Sequence, residues 1–153
     1  MLKHIEQRQL SYTPEQMFDL VADVGRYQEF LPWCIASRVN KREGAGVFYA
    51  DLIVGYRMFR ERFSSRVVTE RPHVIQIEYL KGPLKNLRNR WQFIRQPDNS
   101  CLIDFTVEFE FSNVALQTLA NMFFNEVVKR MVSAFEARAE ALYGTGDTNS
   151  VPG

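Results

Sequence analysis

Apart from its surface charges, the chain has few side chains suited to covalent or acid–base chemistry, and they are widely spaced. Its cysteines are Cys34 and Cys101 and its histidines His4 and His73. A thiol becomes a nucleophile when a neighbouring base or positive field makes it a thiolate. Neither histidine lies in a motif that would supply one, so both cysteines are expected to be packed thiols. These separations match no zinc-ligand spacing, and two cysteines form no disulfide framework; neither a metal nor a cofactor is expected. Tyr49 and Asp51 stand two residues apart and share one face of a strand running from Val47 to Ile53. Facing inward they would form the acid and base of an aromatase or cyclase; facing outward they are ordinary polar surface. Asn89 alternates with Leu87, Trp91 and Phe93, so one apolar strand face carries a single amide. That amide must bond either to backbone or to a polar ligand.

The elements that position these residues centre on the stretch from Val114 to Tyr143. It is free of Gly and Pro and rich in Ala, Leu, Met, Glu, Lys and Arg, which lose least rotamer freedom on a helix. At 100° per residue its apolar positions, among them Leu116, Leu119, Phe123, Val127, Met131 and Phe135, sweep about half the circumference. That is broader than the stripe of an ordinary surface helix. Just before it, Cys101 to Phe111 alternates strictly, with Cys101, Ile103, Phe105, Val107, Phe109 and Phe111 on one face. The helix is therefore expected to lie across a sheet.

Earlier in the chain, Ile5 to Leu10 suits an edge strand. Thr13-Pro14-Glu15-Gln16 has the signature of a capped helix start, predicting a helix to about Val24 that Gly25 stops. A second short helical turn follows over Arg26 to Phe30. Strands are predicted over Ile35–Arg42, Val47–Gly55, Met58–Thr69, Val74–Leu80, Leu87–Gln96 and Cys101–Phe111, with turn residues between them. The order implies an α+β domain over residues 1–144. In it a six- to seven-stranded antiparallel sheet curls around the long C-terminal helix, with two short helices after the first strand. Residues 145–153 read as a disordered polar tail.

Composition excludes several classes. At 46% hydrophobic and 13% aromatic residues the chain is not intrinsically disordered, and no apolar run reaches the roughly 20 residues of a membrane span. Met1 to Glu6 lacks the apolar core of a secretory signal, so a cytoplasmic location is expected. The net charge is only +1, yet Arg57 to Arg95 holds ten Lys and Arg against three Glu. Arg60, Arg62 and Arg66 share one strand face and Arg88 and Arg90 another. With Lys85 they are expected to form a basic patch for anionic lipid headgroups or ribosomal RNA. Nothing points to DNA, and no exposed aromatics of an RNA-reading surface accompany the patch, which favours the membrane.

The segment Tyr12 to Val24, followed by Tyr27-Gln28-Glu29-Phe30-Leu31-Pro32-Trp33-Cys34, resembles the opening of the coenzyme Q-binding START-domain family. Gly82-Pro83-Leu84-Lys85-Asn86-Leu87 with Trp91 and Phe93 resembles that family's loop-and-strand motif. Asp104-Phe105 through Phe109-Glu110-Phe111, then Phe135 to Ala139 and Leu142-Tyr143-Gly144, resembles its end. The chain departs at Leu84, where the motif has Phe, though an apolar role survives. The resemblance implies the helix-grip fold and a hydrophobic cavity that binds ubiquinone in support of respiratory electron transfer. Bacterial members include ribosome-association toxins, and the wider superfamily holds polyketide cyclases and lipid carriers.

Taken with the residues, this leads us to expect a non-enzymatic carrier of a polyprenyl quinone, peripheral to the inner face of the membrane. Its cavity is expected to be lined by Leu87, Asn89, Trp91, Phe93, Phe105, Val107, Phe123, Val127 and Met131, with Trp33 and Leu84 near the mouth. Two alternatives stay open: a ribosome-association inhibitor acting through the basic patch, and an aromatase or cyclase using Tyr49, Asp51 or Asn89.

Overall fold

Thr13 caps the first helix as its sequence predicts. The Thr13 hydroxyl accepts from the Gln16 amide at 3.1 Å, and the Gln16 side chain accepts from the Thr13 amide at 3.0 Å, so two otherwise orphaned donors are satisfied reciprocally. The computed structural model describes residues 1–56 and 58–144; the polar tail expected at 145–153 lies outside them. In chain order the elements are β1 (Leu2–Leu10), α1 (Pro14–Ala22), a 3-10 helix (Val24–Glu29), β2 (Cys34–Arg42), β3 (Val47–Tyr56), β4 (Phe59–Glu70), β5 (Val74–Lys81), β6 (Leu84–Arg95), β7 (Cys101–Phe111) and α2 (Val114–Tyr143). All seven strands form one antiparallel sheet in the order β1-β7-β6-β5-β4-β3-β2. From β2 to β7 each strand pairs with the next, and β1 returns to the far edge beside β7. This is the helix-grip arrangement.

Most boundaries differ from the expected ones by a few residues at most, and three of the differences have a clear physical reason. β1 begins at Leu2, because its whole length pairs with β7 and needs no apolar alternation of its own. Gly25 does not stop α1; it lies inside the 3-10 helix, and α1 ends at Ala22 with Asp23 as its C-cap. β6 begins at Leu84 rather than Leu87, since the β5–β6 connection is shorter than its Gly-Pro composition suggests. That tight turn explains the glycine. Gly82 has φ of +151°, and a Cβ there would stand 2.9 Å from both the Arg62 carbonyl and the Tyr79 hydroxyl. The same Tyr79 hydroxyl accepts from the Leu84 amide at 2.9 Å.

The packed core occupies one end of the molecule. Met17, Phe18 and Val21 of α1 meet Val67, Ile75, Phe93, Cys101 and Ile103 of the sheet and Phe135 and Ala139 of α2. Only Val128, Phe135 and Ala139 of α2 are buried, all from its midpoint onward. Hydroxyl contacts fix that end: Tyr143 donates to the Gln16 carbonyl at 3.0 Å and Tyr12 to the Gly144 carbonyl at 2.8 Å. The part of α2 before Val128 crosses the sheet without burying any residue fully.

This asymmetry yields a test. Phe93 is 2% exposed and packs edge-to-face on Phe18 at 5.7 Å, so Phe93→Ala should lower unfolding free energy by about 3–5 kcal/mol. Leu119→Ala, on the standing-off half of α2, should lower it by about 1 kcal/mol or less. Urea denaturation of the two variants measures the contrast.

Candidate ligand-binding cavity

The space under α2 has two adjoining parts. A vestibule of about 240 Å³ is walled by Trp33, Leu84, Leu87, Phe109, Phe123 and Val127, with Tyr56, Phe59 and Phe111 and the first turns of α2 around it. A deeper chamber of about 300 Å³ is lined by Asn89, Trp91, Phe105, Val107 and Met131, together with Ser65, Tyr27 and Phe135. Trp33, Val54, Phe63, Leu87, Phe109, Phe124 and Val127 border both, so the two are continuous. Volumes of this order belong to small-molecule sites, which are mostly apolar with a few placed polar groups.

The strands position these walls by alternation. β6 presents Leu87, Asn89 and Trp91 inward, β7 presents Phe105, Val107 and Phe109, and β4 presents Phe63, Ser65 and Val67. Of the residues expected at the cavity, Trp33, Leu84, Leu87, Asn89, Trp91, Phe105, Val107, Phe123, Val127 and Met131 all line the vestibule, the chamber or both. Phe93 does not. It shares their strand face but lies beyond the chamber's end, under α1, where Phe18 and Trp91 cover it. Ser65 was not anticipated, although its alternation with Phe63 and Val67 is visible in the sequence.

The chamber holds little polarity. Tyr27 donates its hydroxyl to the Val21 carbonyl, and burial pushes that phenol above its ordinary pKa. The Asn89 amide nitrogen donates to the Thr106 carbonyl at 3.0 Å, which is the backbone contact considered above. The Ser65 hydroxyl makes no hydrogen bond among the described residues. At the chamber's far end a small recess of about 40 Å³ reaches Glu6, Arg8 and Glu136. There Arg8 bridges β1 to α2, 2.7 Å from Glu6 and 2.8 Å from Glu136. Burial works to raise the Glu6 pKa, but hydrogen bonds from His4 and Arg8 outweigh it and hold the carboxyl below its ordinary value.

The acid–base candidates lie elsewhere. Asp51 is on the outer face of the sheet, held by Arg62 at 2.6 Å, Ser64 at 2.7 Å and Asn40 at 2.8 Å. Tyr49 hydrogen-bonds Glu43 at 3.0 Å on that same face. The pair is therefore outside the cavity. Burial raises the pKa of both thiols, that of Cys101 to about 11, which keeps them protonated and unreactive.

Of the six basic residues expected to form one patch, three are engaged by acids. Arg62 is bound to Asp51, Arg66 lies 2.8 Å from Glu78 and 3.8 Å from Glu43, and Lys85 lies 3.7 Å from Glu110. Arg60, Arg88 and Arg90 form no ion pair among the described residues. Arg88 nevertheless stands in register between Glu78 and Glu108, so acids interrupt the cations along the outer face.

A curled antiparallel sheet wrapped around one long helix, with an apolar cavity between them, defines a helix-grip protein. Residues 10–136 match the family described as "Polyketide cyclase / dehydrase and lipid transport", and the chain belongs to it. Over 148 residues it is 39% identical to the Coenzyme Q-binding protein COQ10 homolog B, mitochondrial, of Xenopus laevis, a match covering 94% of this chain and 60% of that protein. The chain thus spans well under two-thirds of that relative. It is 34% identical to the Ribosome association toxin RatA of Pseudomonas aeruginosa over 145 residues, covering 94% of this chain and all of the toxin. Among solved structures, the Zhui aromatase/cyclase of Streptomyces superposes with a TM-score of 0.79 at 14% identity, over 96% of this chain and 99% of that one. That likeness is one of fold alone.

Asp51 provides a pH test. Burial works to raise its pKa, yet the bonds from Ser64, Arg62 and Asn40 bring it from 3.8 down to about 2. A depressed carboxyl stabilises the fold above its unfolded-state pKa and loses that contribution as pH falls through the folded value. Asp51→Asn should therefore lower the melting temperature at neutral pH, and the gap from the parent protein should close between about pH 4 and pH 2. Calorimetry across that range checks it.

Proposed function

We propose that the protein is a non-enzymatic carrier of a polyprenyl quinone, ubiquinone by its relationship to the coenzyme Q-binding proteins. The observation that carries this reading is the continuous apolar vestibule and chamber beneath α2, in a chain so similar to a protein named for binding coenzyme Q. Burial stabilises by about 0.8 kcal/mol per CH₂, or several kcal/mol for each isoprenoid unit. A quinone therefore leaves a bilayer only into a dry pocket of this kind. The absence of an acid–base pair in the described chamber lining fits a carrier better than a cyclase.

Such a carrier must meet the membrane, and among the described residues no helix is long and apolar enough to cross one. The mouth offers a surface contact instead. Met58, in the β3–β4 turn between the mouth residues Tyr56 and Phe59, is fully exposed, while Val114 and Met122 on α2 are 81% and 70% exposed. Leu84, a rim residue by sequence, is buried, so these three residues supply the inserting surface. Arg60, two residues beyond Met58, and Lys85, next to Leu84, would add attraction to anionic lipid.

A second reading has its own support, since the likeness to the ribosome-association toxin extends over that protein's whole length. Arg88 and Arg90, exposed and without ion-pair partners among the described residues, would be its contact.

Organic extraction of purified protein followed by mass spectrometry should yield a quinone. Val127→Glu, which places a carboxylate in the wall common to vestibule and chamber, should abolish its co-purification; a folded variant with full quinone content would overturn the assignment. Met58→Asp with Met122→Asp should weaken sedimentation with phosphatidylcholine vesicles containing phosphatidylglycerol while leaving a bound quinone in place. Arg88→Glu with Arg90→Glu separates the readings. For a carrier, quinone content is unchanged. For a ribosome inhibitor, ribosomal subunit association on a sucrose gradient becomes normal in cells expressing the variant.

A further inference from the structure

The chamber has a polar asymmetry that goes beyond room for a quinone. The vestibule wall is apolar except for the Trp33 indole, which borders the chamber as well, and the Tyr56 hydroxyl, which bonds Glu126 at 3.2 Å. The chamber wall carries Ser65, Asn89 and the indole of Trp91. A backbone carbonyl only accepts, so the amide nitrogen of Asn89 gives one of its two N–H groups to Thr106, and its Oδ1 accepts from no group among the described residues. No fully buried side-chain oxygen or nitrogen among the described residues lacks a partner. The unbonded Oδ1 of Asn89 and Oγ of Ser65 therefore border open space rather than packed protein.

These groups set the orientation of an amphipathic ligand. A tail pushed into the chamber would strip water from Ser65 and Asn89 and return no hydrogen bond, and the ring would sit among the apolar side chains of the vestibule. Ring inward and tail toward the mouth satisfies both ends.

The same groups distinguish the two redox states of the ring. Ser65 and Trp91 can donate either to a quinone carbonyl or to a quinol oxygen, so they favour neither strongly. Asn89 Oδ1 can only accept, and a quinone has no donor to offer it; two acceptors brought together repel. A quinol hydroxyl supplies that donor. We infer that the site is selective for the reduced, quinol form of its ligand, with Asn89 as the discriminating residue and Ser65 as a contact common to both forms. The inference rests on the carrier reading above.

The test uses the decyl-tailed ubiquinone analogue, oxidised or borohydride-reduced, titrated anaerobically into the full-length protein and followed by quenching of Trp33 and Trp91 fluorescence. The quinol should bind about five- to tenfold more tightly, the worth of one hydrogen bond. A tenfold preference raises the midpoint potential of the bound two-electron couple by about 30 mV. Asn89→Leu should reduce the preference to within about twofold by weakening the quinol. Ser65→Ala should weaken both forms together and keep the preference. Equal affinities in the parent protein, or tighter binding of the quinone, overturn the inference while the carrier reading stands. Binding of neither form overturns both. The parent protein's ratio decides the matter even if Asn89→Leu does not fold.

Discussion

α2 buries side chains fully only from its midpoint onward, and the rest of the molecule follows from that. Phe135 meets Trp91 at 5.3 Å, Phe30 at 5.3 Å and Tyr27 at 5.6 Å, all edge-to-face, and Trp91 in turn meets Phe105 at 4.5 Å. Each such pair adds about 0.5–1.5 kcal/mol beyond the area it buries. With the hydroxyls of Tyr12 and Tyr143 they hold the C-terminal half of the helix down. The N-terminal half then crosses the curled sheet at whatever height that clamp dictates, and the gap beneath it is the cavity. Side chains around an unfilled gap forgo dispersion contacts, so stability has to come from the clamped end. There α1 adds Met17, Phe18 and Val21 to the core.

This division was only partly legible in the sequence. Alternation fixed the face of each residue, because the strand period is two and needs no knowledge of neighbours. β7 and α2 accordingly have the expected boundaries, Cys101–Phe111 and Val114–Tyr143. The breadth of the apolar arc on α2 also announced that something broad lay beneath it. Alternation says nothing about depth along a strand, however. Trp91 and Phe93 share a face, but one lines the chamber and the other lies under α1, and only the path of α1 over the sheet separates them. Ser65 escaped notice for the opposite reason: a small hydroxyl carries no hydrophobic signal, and it becomes conspicuous only when the surfaces around it prove apolar.

The charges teach the same lesson. Arg60, Arg62, Arg66, Arg88 and Arg90 do face outward as their spacing requires, but the acids that interrupt them come from other strands. Asp51 reaches Arg62 from β3, and Glu78 reaches Arg66 from β5. A local excess of positive charge in sequence therefore need not be a positive surface. Long-range pairing spreads the −6 carried by the rest of the chain across it, and a field built from separated pairs fades within a Debye length of about 8–10 Å. The surface also exposes large apolar side chains, among them Met58, next but one to the vestibule residue Tyr56, and Met122, next to the vestibule residue Phe123.

That places the two ends of the cavity in a useful relation. On the carrier reading, a polyprenyl quinone in a bilayer offers its ring nearer the interface and its tail within the hydrocarbon. A protein seated by Met58, Val114 and Met122 would meet the ring first. The ring passes the largely apolar vestibule and reaches Ser65 and Asn89 in the chamber, while the tail trails behind in the lipid. No reversal of the ligand is needed, and neither end is bared to water on the way. A chamber with its polar groups at the mouth would require the opposite sequence, tail first, which would draw the most apolar segment out of the bilayer before anything held it. The placement of two small polar side chains deep in an apolar chamber, a net cost to an empty fold, thus makes physical sense for a ligand taken up ring first.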